Sequence, residues 1–96
     1  MLHARHIKGK TLRRYWEHGD DSKINPKWRE KIGRILNALD VAAGPGELNF
    51  PGFGLHELTG NRRGTYSIWI SRNWRVTFKW GDDGPTDVDM EDYHGR

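Results

Sequence analysis

The stretch Thr65–Trp80, TYSIWISRNWRVTFKW, contains two runs of alternating apolar residues on either side of a short polar segment. This pattern is typical of a β-hairpin. A two-residue turn would mix polar and apolar side chains on each face of the hairpin. A three-residue turn pairs Ile70 with Trp74 and Ile68 with Val76, which places the large apolar side chains on one face. Burial of that face therefore favours the three-residue turn.

The predicted turn consists of residues 71–73. A turn of this length commonly needs a residue in the left-handed region of backbone conformation. We expect Asn73 to adopt that conformation, because asparagine tolerates it better than most residues.

The opposite face of the predicted hairpin carries Ser67, Trp69, Arg75, Thr77 and Lys79. In this register Arg75 lies across from Trp69, close enough for stacking or a cation–π contact. These residues alone leave two interpretations of Arg75 open. It is either a solvated charge on an open sheet face, or a rigid cation aimed at a phosphate.

The chain has 96 residues, of which 34% are hydrophobic. We therefore expect one small domain, residues 1–96, with a small core. The absence of cysteine excludes disulfides and thiolate metal sites. There is neither a signal-peptide pattern nor an apolar run of membrane-spanning length, so we expect a soluble cytoplasmic protein with no membrane partner.

The net charge of +3 conceals an asymmetry along the chain. Residues 1–80 contain 15 Lys and Arg against 7 Asp and Glu, a balance of +8, whereas residues 81–96 contain 1 against 6, a balance of −5. The strong positive charge of residues 1–80 favours a polyanion or an acidic protein as partner. The alternative is a charged surface that serves only solubility.

Two amphipathic helices are predicted before the hairpin. The first is Lys8–His18, and Gly19 ends it. The second has Asn25 as its N-cap and Pro26 at its first position, and it ends near Ala42 or Ala43. Its apolar stripe consists of Trp28, Ile32, Ile35, Leu36 and Leu39. Helices followed by strands indicate an α+β layer fold.

The remaining segments connect these elements. Residues 1–7 are a lead-in or short strand, and residues 44–54, GPGELNFPGFG, are an irregular connection. A short strand is predicted within residues 55–58 and a polar turn at residues 59–64. A second turn at Gly81–Gly84 leads to a third strand of the meander, Asp87–Glu91, with its acidic side chains outward.

Five histidines and 13 acidic residues show no compact cluster at metal-ligand spacing, so no metal site is predicted. Another set can converge on the polar face, namely Arg75, His56, Arg62, Arg63, Asp92, Tyr93 and His94. Such a set suits metal-free RNA cleavage, which needs an activated 2′-hydroxyl, a cation at the phosphate and an acid at the leaving oxygen. The alternative for Tyr93 and His94 is a disordered tail without function.

Several segments together resemble the HigB branch of the RelE/ParE toxin superfamily, the plasmid maintenance killer toxins. The resemblance covers nearly the whole chain. Its marks are Asn25-Pro26, LNALDVAA from Leu36, LNFPGFGLHELTG from Leu48, the segment Gly64–Ile70, the strand Trp74–Phe78, and the segment Val88–His94, which ends in Glu-Asp-Tyr-His.

The resemblance implies a RelE-like fold in which two N-terminal helices pack on a twisted antiparallel sheet. It also implies the toxin of a type II toxin–antitoxin system, which cleaves mRNA at the ribosomal A site without metal or other cofactor. The implied partners are the ribosome, mRNA and a HigA-like helix-turn-helix antitoxin. The complex of the two proteins represses its own operon, so the toxin meets operator DNA only through the antitoxin.

Carried over by position, the resemblance implies catalytic roles for Arg75, His56, Asp92, Tyr93 and His94. Arg75 matches the strand arginine that stabilises the phosphate, and residues 92–94 match a C-terminal catalytic group. RNA contacts are expected from Arg62, Arg63, Arg72, Lys79 and Trp69.

One position departs from the family pattern, because Thr59 stands where the family has a lysine. Threonine cannot supply a cation, although Arg62 or Arg63 can replace it if either reaches the site. Two alternatives therefore stay open. One is a catalytically weak or inactive RelE-fold protein that serves as antitoxin-binding partner and operon co-repressor. The other is a toxin of the same fold with another target, as in the gyrase-directed ParE relatives.

Overall fold

The computed structural model describes residues 1–92, so Tyr93 and His94 of the candidate site lie outside the described residues. The helices are α1 (Lys10–His18) and α2 (Arg29–Val41), and the strands are β1 (His56–Glu57), β2 (Tyr66–Trp69), β3 (Trp74–Gly81) and β4 (Gly84–Asp92). The strands form one antiparallel sheet in the order β1-β2-β3-β4. The predicted α+β fold is confirmed. Within residues 1–92, no helix is both long enough and apolar enough to cross a membrane.

Local sequence signals set the ends of both helices. Gly19 follows α1 with φ 69°, the left-handed conformation that ends a helix and that glycine adopts without strain. The Asn25 side chain accepts a hydrogen bond of 3.0 Å from the backbone N–H of Lys27, as expected of a cap. The first turn after Asn25 is a 3-10 helix, Pro26–Trp28, and the α-helix proper begins at Arg29.

The predicted register of the central hairpin is confirmed. Ile68 pairs with Val76 and Trp69 with Arg75, and the N–H of Ile70 donates to the carbonyl of Trp74 at 3.0 Å. The expected left-handed conformation of Asn73 is wrong, because Asp87 is the one non-glycine residue with positive φ among residues 1–92. The Trp74 carbonyl accepts N–H bonds from both Ile70 and Ser71, so the turn closes without a left-handed residue.

The core lies between the helices and one face of the sheet. Helix α2 contributes four residues of the predicted apolar stripe, Ile32, Ile35, Leu36 and Leu39, whereas Trp28 is only half-buried. The sheet contributes Ile68, Val76, Phe78 and Val88. Each fully buried side chain of this kind stabilises the fold by roughly 1.5–3 kcal/mol. Side chains alternate along each strand, so every second one lies on the opposite face of the sheet. We call this the polar face; on the hairpin it carries Ser67, Trp69, Arg75, Thr77 and Lys79.

A bulge and a parallel bridge shape the outer edge of the sheet. The pairing of β3 with β4 shifts register between Thr77 and Lys79, and Asp87 lies at this irregularity with φ 51°. Residues 1–7 do not form a strand, but Ile7 makes an isolated parallel bridge to Val88. The N–H of Lys8 donates to the Val88 carbonyl at 2.7 Å, which brings Lys8 beside β4.

Candidate functional site

Two cross-strand rows define the polar face. One row consists of His56, Ser67, Thr77 and Asp89, and the other consists of Trp69, Arg75 and Glu91. The face is less open than the sequence predicts, because Ser67 is only 4% and Thr77 only 1% exposed. The Thr77 hydroxyl is hydrogen-bonded to the carboxylate of the neighbouring Glu91.

Glu91 is the centre of a hydrogen-bonded network on the polar face. Arg62 donates from Nη1 to Oε1 and from Nη2 to Oε2, both at 2.8 Å, and the Thr77 hydroxyl donates to Oε2. The Arg62 hydrogen bonds hold the pKa of Glu91 below its usual range, against the opposing effect of burial. Glu91 is not among the site residues predicted from the sequence. The sequence did contain a signal for it, because Glu91 alternates with Asp87 and Asp89 along the predicted third strand.

A cleft of about 300 Å³ opens beside this network. Its lining residues are Lys8, Asn61, Arg62, Thr65, Thr77, Lys79, Asp87, Asp89 and Glu91. Two of the predicted RNA contacts, Arg62 and Lys79, therefore lie together. Lys8 is a third cation at this cleft that the sequence did not indicate, because its position depends on the bridge to β4.

Arg75 projects from the middle of the sheet, with its guanidinium beside the hairpin turn. Its Nη1 donates to the carbonyls of Ser71 at 2.8 Å and Trp74 at 3.0 Å. These bonds restrict the orientation of the guanidinium, which favours the interpretation as a rigid cation. The cation above the Trp69 ring is Lys31 of α2, whose ammonium lies 4.3 Å from the ring centroid. Lys31 is not among the predicted site residues.

Of the other predicted residues, His56 lies at the margin of the polar face, whereas Asp92 does not lie on that face. His56 is exposed on the edge strand β1, across from Ser67. Asp92 pairs with Trp74, so strand alternation assigns it to the opposite face from Arg75.

The exposed cations Arg63 and Arg72 lie in the two loops that border the polar face. Arg63 follows the 3-10 turn Gly60–Arg62, and Arg72 lies within the hairpin turn. Their predicted contacts with RNA stay predictions. Over residues 1–92, there is no group of three or more His, Asp or Glu side chains that could hold a metal ion.

An antiparallel meander with two helices on one face and an arginine-bearing polar face on the other defines a small α+β protein whose polar face carries a restrained guanidinium. The family model for the RelE-like toxin of the type II toxin–antitoxin system HigB matches residues 5–94. The chain belongs to this HigB-like toxin family, and the resemblance drawn from its sequence is confirmed. Membership in a type II system implies a cognate antitoxin.

Two curated relatives span nearly the same length. Endoribonuclease HigB of Proteus vulgaris is 36% identical over 88 residues, which cover 92% of this chain and 96% of the relative. Toxin HigB-1 of Vibrio cholerae serotype O1 is 31% identical over 81 residues, which cover 82% of this chain and 85% of the relative. The similarity therefore includes both the helices and the sheet.

Proposed function

We propose that this toxin is an endoribonuclease that cleaves mRNA on the ribosome, in the cytoplasm and without a metal. The observation that carries the proposal is the placement of Arg75, a guanidinium restrained by two carbonyls on a face that also bears His56. A fixed cation of this kind stabilises charge that develops on a phosphate in the transition state. The name of the Proteus vulgaris relative supports the same activity.

In this proposal the chemistry divides among a few side chains. Arg75 neutralises the pentacoordinate phosphate, while His56, Tyr93 and His94 supply proton transfer from the 2′-hydroxyl and to the 5′-oxygen. The cleft cations Lys8 and Lys79 attract the RNA backbone. The antitoxin is HigA-like, with a helix-turn-helix, and operator DNA is contacted only through the complex with it.

A second candidate function is an inactive partner that binds the antitoxin and helps repress the operon. Two observations favour it. Thr59 carries no charge where the family has a lysine, and the nearby Arg62 is engaged with Glu91. Removing one electrostatic donor from such a site lowers the rate by roughly a hundredfold or more.

Induction of the toxin in cells without its antitoxin, with mapping of mRNA ends, tests the proposal. The wild type and the charge-matched control Lys23→Ala are expected to arrest growth and to produce new cuts within reading frames. Arg75→Ala is expected to lower cleavage by about a hundredfold. The double variant of Tyr93→Ala and His94→Ala is expected to abolish it.

The other outcomes each point to a different function. Growth arrest without new mRNA ends contradicts the proposal and indicates another target. The absence of arrest, with folded protein present, favours the inactive binding partner.

A further inference from the structure

Lys31 extends from helix α2 to the edge of the polar face. Its Nζ donates a hydrogen bond of 2.8 Å to the carbonyl of Gly52 and lies 4.3 Å from the centroid of the Trp69 ring. The loop that offers this carbonyl is itself docked on the sheet, because the N–H of Trp69 donates to the Phe53 carbonyl at 2.7 Å. The ammonium therefore has a defined position rather than the freedom of a surface lysine.

This position brings Lys31 close to the cation of the proposed site. Trp69, on which the ammonium rests, is the direct cross-strand partner of Arg75. Burial lowers the pKa of Lys31, and the charges of Arg34 and Arg75 lower it further. The contribution of Arg75 agrees with the geometry, in which Trp69 separates the two cations by one cross-strand pair.

Lys31, Arg34 and Arg75 carry like charges that act on one another. Within the described part of the chain, residues 1–92, neither Lys31 nor Arg34 forms an ion pair with an acidic residue. Cations held close together repel one another, and a bound anion removes that repulsion. An ammonium has three donors, and only one of them is used by Gly52.

We propose that Lys31 binds a phosphate of the RNA strand adjacent to the phosphate engaged by Arg75. The inference rests on the proposed function, since it takes RNA as the ligand of the polar face. Trp69 and the Gly52 carbonyl hold the ammonium in place, so that α2 contributes to the site together with the sheet. An acidic segment of a protein partner is the competing ligand for the same charges.

The test measures binding of a single-stranded RNA oligonucleotide with 2′-O-methyl riboses, which cannot be cleaved through the 2′-hydroxyl. Lys31→Ala is expected to weaken binding about five- to tenfold at low salt. The binding constant is also expected to fall less steeply with salt concentration. On a log–log plot the slope becomes shallower by about 0.7, the value for one phosphate contact on a single strand. Lys31→Arg keeps both values close to those of the wild type, because the positive charge remains. Lys27→Ala is the matched control, an exposed lysine just before α2.

A pH series separates binding from a purely structural role. Since the pKa of Lys31 lies below the ordinary lysine value of 10.5, wild-type affinity is expected to fall as the pH rises through that lowered pKa, at a lower pH than in Lys31→Arg. Thermal unfolding of each variant reports its stability. A Lys31→Ala variant that loses stability but keeps the salt slope and affinity of the wild type overturns the inference. A wild type that fails to bind the oligonucleotide at low salt overturns it as well.

The outcomes also distinguish this inference from the proposed function. If the wild type binds the oligonucleotide through Lys31 but cuts no mRNA on ribosomes, the proposed function fails and the phosphate site stands. If the wild type cuts mRNA and Lys31→Ala binds and cuts equally well, only the phosphate site fails. If Lys31→Ala weakens binding of the antitoxin and leaves RNA binding unchanged, the ligand is the acidic protein.

Discussion

Arg62 and Glu91 are 29 residues apart in the chain and are joined by two parallel hydrogen bonds of 2.8 Å. Planar forks of this kind are the strongest form of arginine–carboxylate pairing. The pair ties the turn Gly60–Arg62 to the last residues of β4, immediately before Asp92. The loop that follows the candidate residue Thr59 is therefore held against the end of β4, the strand that precedes the proposed catalytic residues Tyr93 and His94 in the sequence.

A double-mutant cycle measures this link. Arg62→Ala and Glu91→Gln are each expected to lower the free energy of unfolding, with a coupling energy of about 1 kcal/mol, since both side chains are partly exposed. Each variant is also expected to reduce mRNA cleavage, because the end of β4 loses an anchor. Arg63→Ala, a neighbouring exposed arginine, is the control for the unfolding measurement, and the exposed Lys23→Ala is the control for cleavage, because Arg63 is itself an expected RNA contact. A coupling energy near zero in urea denaturation contradicts the link.

The same pair makes stability depend on acid. The pKa of Glu91 in the folded protein lies below the ordinary value of 4.5, chiefly because Arg62 donates to the carboxylate. Its contribution to stability is therefore complete above pH 4.5 and is lost as the pH falls through the lowered pKa. Compared with the wild type, Glu91→Gln is expected to lose less stability on acidification below about pH 5. Equal slopes of unfolding free energy against pH in the two proteins would argue against this assignment.

Thr59 offers a gain-of-function experiment. The residue is exposed, and its side chain makes no capping hydrogen bond at the start of the 3-10 turn Gly60–Arg62, so a lysine can be accommodated there. Thr59→Lys is expected to increase cleavage or toxicity, by up to about a hundredfold if the cation reaches the phosphate. Thr59→Gln, which extends the side chain without a charge, is the control. Cleavage that is unchanged by the lysine means that Thr59 is not the position of a missing cation.

Asp87 occupies the left-handed region at the bulge in β4, with φ 51°. A β-branched residue is strained in this conformation by about 1–2 kcal/mol, whereas glycine is not. Asp87→Val is therefore expected to lower the unfolding free energy by that amount, and Asp87→Gly to leave it within a few tenths of a kcal/mol. Asp82→Val, in the turn before β4, removes the same charge without this strain and serves as the control. Equal stabilities of the valine and glycine variants would show that the bulge relaxes.

Much of the fold was predictable because the signals were local. Asn25 and Gly19 mark helix ends through the hydrogen bond and the backbone conformation that their types favour. The hairpin register followed from one requirement, the burial of Ile68 with Val76 on the same face. The family resemblance came from motifs spread along the chain and is confirmed by the family match.

The site was predictable only in part. Arg75 and its pairing with Trp69 followed from strand alternation, but its carbonyl partners at Ser71 and Trp74 did not. The conformation of Asn73 was predicted wrongly, because a propensity for the left-handed region does not tell which hydrogen bonds close the turn. The catalytic and RNA-binding roles remain predictions.

The amino-acid sequence by itself determined the element order, the pairing of the hairpin and the identity of the family, since these depend on side-chain periodicity and on residue types at fixed spacing. Only the tertiary structure decided which charges meet. The contacts of Arg62 with Glu91 and of Lys31 with Trp69 join residues from different elements. Their partners depend on how helices and loops dock onto the sheet, and that docking is set by packing of the whole core rather than by any local pattern.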